Sequence, residues 1–158
     1  MVNYSFTIRK AVEEDAPAIK DIMQESFKKY MEDTGLKGSL EALQESVDDI
    51  LRDIKTKEVF VAIVDDIAVG SVRVELFPDN TAYFSRFGVK PDYHNIGIGK
   101  ALMSIVDKLL ISKGIKRVYL HTASNYSALV RFYYARGFYI DSTTKDRGYV
   151  RALMVKEY

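Results

Sequence analysis

The chain contains no cysteine and no tryptophan, only three prolines, and only two histidines among 158 residues. Without cysteine there is no disulfide, no thiolate metal site and no cysteine nucleophile. His94 and His121 alone are too few for a metal centre, and no metal is expected. No stretch approaches the roughly 18 consecutive apolar residues of a membrane-spanning helix, so no membrane partner is expected. Met1 to Ala11 alternates apolar and polar residues and lacks the basic start and apolar run of a signal peptide, which makes the cytoplasm the expected setting. The net charge of +1 carries no overall bias toward nucleic acid, and none is expected as a partner.

Apolar residues make up 47% of the chain, enough to fill the core of one domain spanning 1–158. Charge is unevenly spread. Glu13 to Glu58 holds 13 acidic and 7 basic residues, and the remainder holds 9 acidic and 16 basic. Two readings are open: solvated helix faces, or an acidic patch for a cationic substrate beside a basic region for an anionic one.

Hydrophobic period gives the element order. Tyr4 to Lys10 alternates as a strand. Glu13 to Glu32 has a helical stripe of Ile19, Ile22, Met23, Phe27, Tyr30 and Met31. After the break at Gly35 to Gly38, Ser39 is placed to cap a second helix whose face is Leu40, Leu43, Val47, Ile50, Leu51 and Ile54. Glu58 to Val64, Ile67 to Phe77 and Thr81 to Val89 form a meander with turns at Asp65-Asp66 and Pro78 to Asn80. Ile98 to Leu110 is a strongly periodic helix that stops at Gly114. Lys116 to Thr122 is a strand, Tyr126 to Arg136 a helix, and Phe138 to Ser142 and Tyr149 to Lys156 the last strands.

The segment from Val89 to Lys100 is the most informative. A strand ends, Pro91 removes a backbone donor, and Gly97 and Gly99 open a long helix. A helix start offers free N–H groups and partial positive charge, and a glycine without Cβ lets an anion approach them. A Gly-x-Gly pair alone is weak evidence. Position 102 is Leu and Lys100 precedes Ala101, so neither common nucleotide-loop pattern fits.

This segment resembles the cofactor loop of the GNAT N-acetyltransferase family, Val-x-Pro-x-x-Arg/Gln-x-x-Gly-x-Gly/Ala. Val89, Pro91, Gly97 and Gly99 match. His94 stands where Arg or Gln is usual, and Asn95 where many members have glycine. A second resemblance runs from Asn125-x-x-Ala128 to Tyr133-x-x-x-Gly137-Phe138, with one residue more than usual between Asn125 and Tyr133. The order of elements also follows the family along the chain.

The resemblance implies an α/β (α+β) fold: a mixed, mostly antiparallel sheet of about seven strands flanked by four helices, with a splayed strand pair at the cofactor. It implies an acyl-CoA-dependent N-acyltransferase that moves acetyl from acetyl-CoA to a primary amine by direct attack. The acceptor would be a polyamine or other small amine, or a protein N-terminus or lysine. Phe87, Gly88 and Val89 would lie along the pantetheine arm, with their backbone N–H groups polarising the thioester oxygen and a bulge or splay at Gly88. The loop His94, Asn95, Ile96, Gly97, Ile98, Gly99 and Lys100 would hold the pyrophosphate, with Asn125 and Tyr133 completing the cofactor site. Tyr133 would be the acid for the leaving thiolate, with Tyr134 as the other choice in that helix. The strand before the loop, Thr81 to Phe87, has no carboxylate to act as base. His121 and Glu75 are the remaining candidates, and water is a third. Two other readings stay open: a non-catalytic acetyl-CoA-binding regulatory domain, and a different acyl donor. An exposed sheet edge near the last strand would suit a homodimer.

Overall fold

The computed structural model describes residues 5–38 and 40–158, so the cap expected at Ser39 and the strand start at Tyr4 lie outside the described residues. The elements are β1 (Thr7–Lys10), α1 (Ala16–Thr34), α2 (Glu41–Gln44), α3 (Val47–Thr56), β2 (Glu58–Val64), β3 (Ile67–Leu76), β4 (Thr81–Val89), α4 (Ile98–Ser112), β5 (Arg117–Ala123), α5 (Ser127–Ala135), β6 (Tyr139–Thr144) and β7 (Arg151–Glu157). The strands form one sheet in the order β1-β2-β3-β4-β5-β7-β6. Every neighbouring pair is antiparallel except β4 with β5. No helix among the described residues is long and apolar enough to cross a membrane.

Alternation along the strands divides the core in two. Phe60, Ala62, Val72, Val74, Ala82, Phe84, Val118, Leu120 and Met154 pack with Leu102, Met103, Val106 and Leu110 of α4. Val59 and Val61, of opposite parity on β2, pack with Ile19, Ile22 and Met23 of α1 and Ile50 of α3. Leu102 and Leu110 are fully buried, each contributing about 2 kcal/mol of transfer free energy. The β2–β3 turn places Asp65 and Asp66 at φ 49° and 65°, the left-handed pair a two-residue hairpin needs.

Three expectations change. The single second helix is two, α2 and α3, because Glu45 is extended at ψ 141° and Ser46 starts a new helix. Ser46 Oγ accepts from the Asp49 N–H at 3.1 Å, and Asp49 accepts from the Ser46 N–H at 2.8 Å, a reciprocal cap. The bulge in β4 lies before Gly88. Ser71 pairs with Gly88 and Arg73 with Ser85, so Arg86 and Phe87 together oppose Val72. Arg86 carries the strain at φ 52°. Gly88 answers to a close approach instead, since a Cβ there would lie 2.3 Å from Ser26 Oγ on α1. The last strand, β7, is interior, and the exposed edge belongs to β6.

The parallel pairing of β4 with β5 covers only Thr81–Tyr83 with Arg117–Tyr119. Beyond Tyr83 the strands part, β4 running on with β3 and β5 with β7. The groove between them holds the candidate site.

Candidate active site

One cavity, about 560 Å³, fills the groove at the start of α4. β4 contributes Phe87, Gly88 and Val89, and the loop contributes Tyr93, His94, Asn95, Gly97, Ile98, Gly99 and Lys100. Gly97 is the residue before α4, at φ 92°, and no side chain caps the first N–H groups of the helix. Those donors face an anion site with nothing bonded to them from the chain. Asn95 takes φ 64°, a left-handed conformation asparagine tolerates better than most residues. His94 is exposed, and its Nε2 donates to the Val89 carbonyl at 2.8 Å, tying the loop to the strand end. Gly99 allows a close seat for Phe87, whose ring would lie 3.2 Å from a Cβ there. Phe87 then stacks on Phe132 of α5 at 5.7 Å.

Three expected cofactor residues do not line this cavity, Ile96, Asn125 and Tyr133, the last of which lines a second cavity. Ile96 packs into the core beside α4 and does not line the cavity. Asn125 donates its amide to the Thr34 carbonyl at 3.1 Å, fastening α5 to the end of α1. No local pattern in the chain marks the wall supplied by α1: Ser26, Phe27, Lys29 and Tyr30. The helical stripe marks Phe27 and Tyr30 equally well as core, and Ser26 and Lys29 lie outside it.

A second cavity, about 330 Å³, opens on the α1 face of the sheet. The two share Phe27, Tyr30, Phe87 and Leu129, which mark the passage between them. Tyr133 lines this second space and is 4% exposed. It packs edge-on against Phe84, Phe132 and Phe138. Burial pushes its hydroxyl pKa well above the usual phenol range, so it stays protonated at working pH. The neighbours resolve the choice within the aromatic triplet: Phe132 faces the first cavity, and Tyr134 is half exposed.

His121 also lines the second cavity, with Nδ1 2.6 Å from the Tyr83 hydroxyl. The register explains the meeting, since Tyr83 pairs with Tyr119 and His121 is the next residue on the same face. Burial lowers the pKa of His121, Arg151 and Arg147 lower it further, and Asp146 opposes them. The imidazole is therefore neutral near pH 7. Burial raises the pKa of Tyr83 against the pull of Arg151, Arg147 and Arg86. Glu75 is the cross-strand partner of Tyr83, and its carboxylate sits 3.6 Å from Lys57 Nζ.

The acidic helices are less free than their charge suggested. Glu41 pairs with Arg147 at 3.2 Å and Arg86 at 4.0 Å. Glu45 and Asp53 hold the fully buried Arg73, and Glu25 holds Lys90. Among the described residues, no group of three or more metal-ligating side chains comes together.

A family model described as the acetyltransferase (GNAT) family matches residues 17–138. The chain belongs to the GNAT family. Spermidine N(1)-acetyltransferase of Thermoplasma acidophilum is 28% identical over 151 residues, covering 88% of this chain and 91% of that protein. The crystal structure of the PaiA N-acetyltransferase of Thermoplasma acidophilum in complex with coenzyme A superposes with a TM-score of 0.87 at 26% identity, covering 98% of this chain and 99% of that one. The ribosomal-protein-S18-alanine N-acetyltransferase of Escherichia coli shares the fold, with a TM-score of 0.78 at 18% identity over 97% of this chain and 94% of that one. This GNAT protein is thus an acyl-CoA-dependent N-acyltransferase, with acetyl-CoA as co-substrate. The uncapped N–H groups from Gly97 to Lys100 suit the pyrophosphate, and Lys29 and Lys100 add positive charge to the same cavity.

Proposed function

We propose that this GNAT enzyme acetylates a small primary amine, with polyamines of the spermidine kind as first candidates. The junction of the two cavities carries the reading, because a thioester reaching it from the groove would meet an amine entering beside Tyr83, His121 and Tyr133. The 28% identity to a spermidine acetyltransferase supports a polycationic acceptor, whose ammonium groups would replace Arg147 and Lys57 as partners of the exposed carboxylates Glu41 and Glu75 at the second cavity.

In this scheme the amine nitrogen attacks the thioester carbonyl while losing a proton to the Tyr83 oxygen. The Tyr83 proton passes to His121 Nδ1, so the pair acts as one base and the missing strand carboxylate is not needed. The C–N bond forms, the C–S bond breaks, and the leaving thiolate takes the Tyr133 proton. Glu75, held by Lys57, orients a distal ammonium.

One observation favours a second acceptor class. Arg147 and Arg151 oppose the burial that raises the pKa of Tyr83 and Tyr149 and add to its lowering at His121, so the positive potential at the pocket would also suit an amine that carries a carboxylate. A panel of polyamines, monoamines, amino acids and short peptides with acetyl-CoA, read by mass spectrometry of products, tests both. Turnover of polyamines supports the first reading, and turnover confined to amino acids or peptides replaces it with the second.

A further inference from the structure

We infer that Glu45 and Arg86 are positioning residues for acyl transfer, forming a tether that fixes the bulge of β4 and so aims its free backbone N–H at the acyl oxygen. The bulge sits where it matters. The last pairing of β4 with β5 is at Tyr83, so Arg86 and Phe87 have no strand on that side. On the other side both oppose Val72 alone, so the regular ladder is interrupted at the bulge. A backbone N–H held rigidly in such a groove is the kind of group that stabilises a developing oxyanion.

Arg86 pays for this shape with φ 52°, which residues bearing a Cβ avoid. Such a conformation persists only when its surroundings over-determine it. Here its Nε donates to Glu45 Oε2 at 3.4 Å. Glu45 is only 9% exposed, and it is gripped in turn by Arg73 through contacts of 2.9 and 2.5 Å. Arg73 is fully buried, is the cross-strand partner of Ser85 beside the bulge, and also donates to Asp53 at 2.9 Å. The chain Asp53, Arg73, Glu45, Arg86 thus runs from α3 through β3 to the strained residue. Phe87, next in sequence, is seated against Gly99 and Phe132 and lines both cavities, so a slack bulge would also loosen the passage between them.

The test needs no acceptor. Calorimetry compares coenzyme A with its ketone analogue, in which a methylene separates the sulfur from the acetyl carbonyl. The parent should bind the analogue about fivefold or more tightly than coenzyme A, the worth of one well-aimed hydrogen bond. Arg86→Gly accepts the same backbone angle without strain, so its thermal midpoint should not fall. It should lose most of the preference for the analogue while keeping its affinity for coenzyme A. Glu45→Gln should lose the same preference and some stability as well, because Arg73 loses a charge partner. A parent without the preference, an Arg86→Gly that keeps it, a Glu45→Gln that keeps it, or equal weakening of both ligands would each overturn the inference. A parent that binds neither ligand would instead refute the cofactor assignment.

Discussion

The cofactor cavity draws seven of its lining residues from the single stretch Tyr93 to Lys100. The second cavity, proposed for the acceptor, draws Glu41, Asp53, Glu75, His121 and Arg151 from five different elements. The first is built largely of backbone donors and aromatic walls. The second is built of side chains held by ion pairs across the sheet. A ligand recognised through N–H groups at a helix start needs only local geometry, so its site can be compact in sequence and tolerant of side-chain change. An acceptor chosen by charge and shape needs groups brought from a distance, and those groups must also neutralise one another when the site is empty.

Mutations that act on one cavity and spare the other sharpen this contrast. The largest effect is expected at the ion-paired side. Glu45→Ala leaves the buried Arg73 with Asp53 alone, which should cost about 3–5 kcal/mol and lower the thermal midpoint by about 10 °C. Denaturant unfolding measures it, and a loss below about 1 kcal/mol would remove the buried network from the account. Next, Tyr133→Phe should reduce kcat about 100-fold with coenzyme A affinity unchanged, since only the proton-donating hydroxyl is deleted from a buried ring. Steady-state kinetics with calorimetry would separate the two quantities.

The third effect is on pH. His121 has its pKa lowered below the usual 6.5, so its proton-accepting form is present at neutral pH and is lost as pH falls through the lowered value. The acid limb of kcat/KM should lie below pH 6.5, and His121→Gln should abolish that limb and reduce kcat about tenfold at pH 7.5. An unchanged profile in the variant would exclude the Tyr83–His121 pair as base. The smallest effect is expected at His94→Ala, less than about threefold on coenzyme A affinity, because one side-chain hydrogen bond to the strand end is worth little beside the backbone donors. A loss of a hundredfold there would mean that side chains, not backbone, hold the phosphate.

The same contrast explains what could be read from the chain alone. The loop at Gly97 and the helix from Ile98 are written in consecutive residues, as is the run from Tyr133 to Phe138, so fold and cofactor were legible together. Ile96 and Asn125 matched by position and yet face the core and α1, because a motif fixes a backbone path better than it fixes each side chain. Tyr83 was not legible, since its partner His121 is 38 residues away and meets it only through the strand register. The split between α2 and α3 was hidden by a continuous apolar stripe, although Ser46 and Asp49 carry a start signal within it. Arg86 looks like any charged strand residue until the pairing on either side of it is known.

The seam between β4 and β5 has a further consequence, for how the molecule comes apart. Three residue pairs join the two halves of the sheet, whereas β3 and β4 pair along most of their lengths. In native-state hydrogen exchange the ligand-free halves should open as separate units of unequal stability, with the seam amides following the weaker one. Filling the groove with coenzyme A clamps both halves to one body, and the two units should then exchange as one.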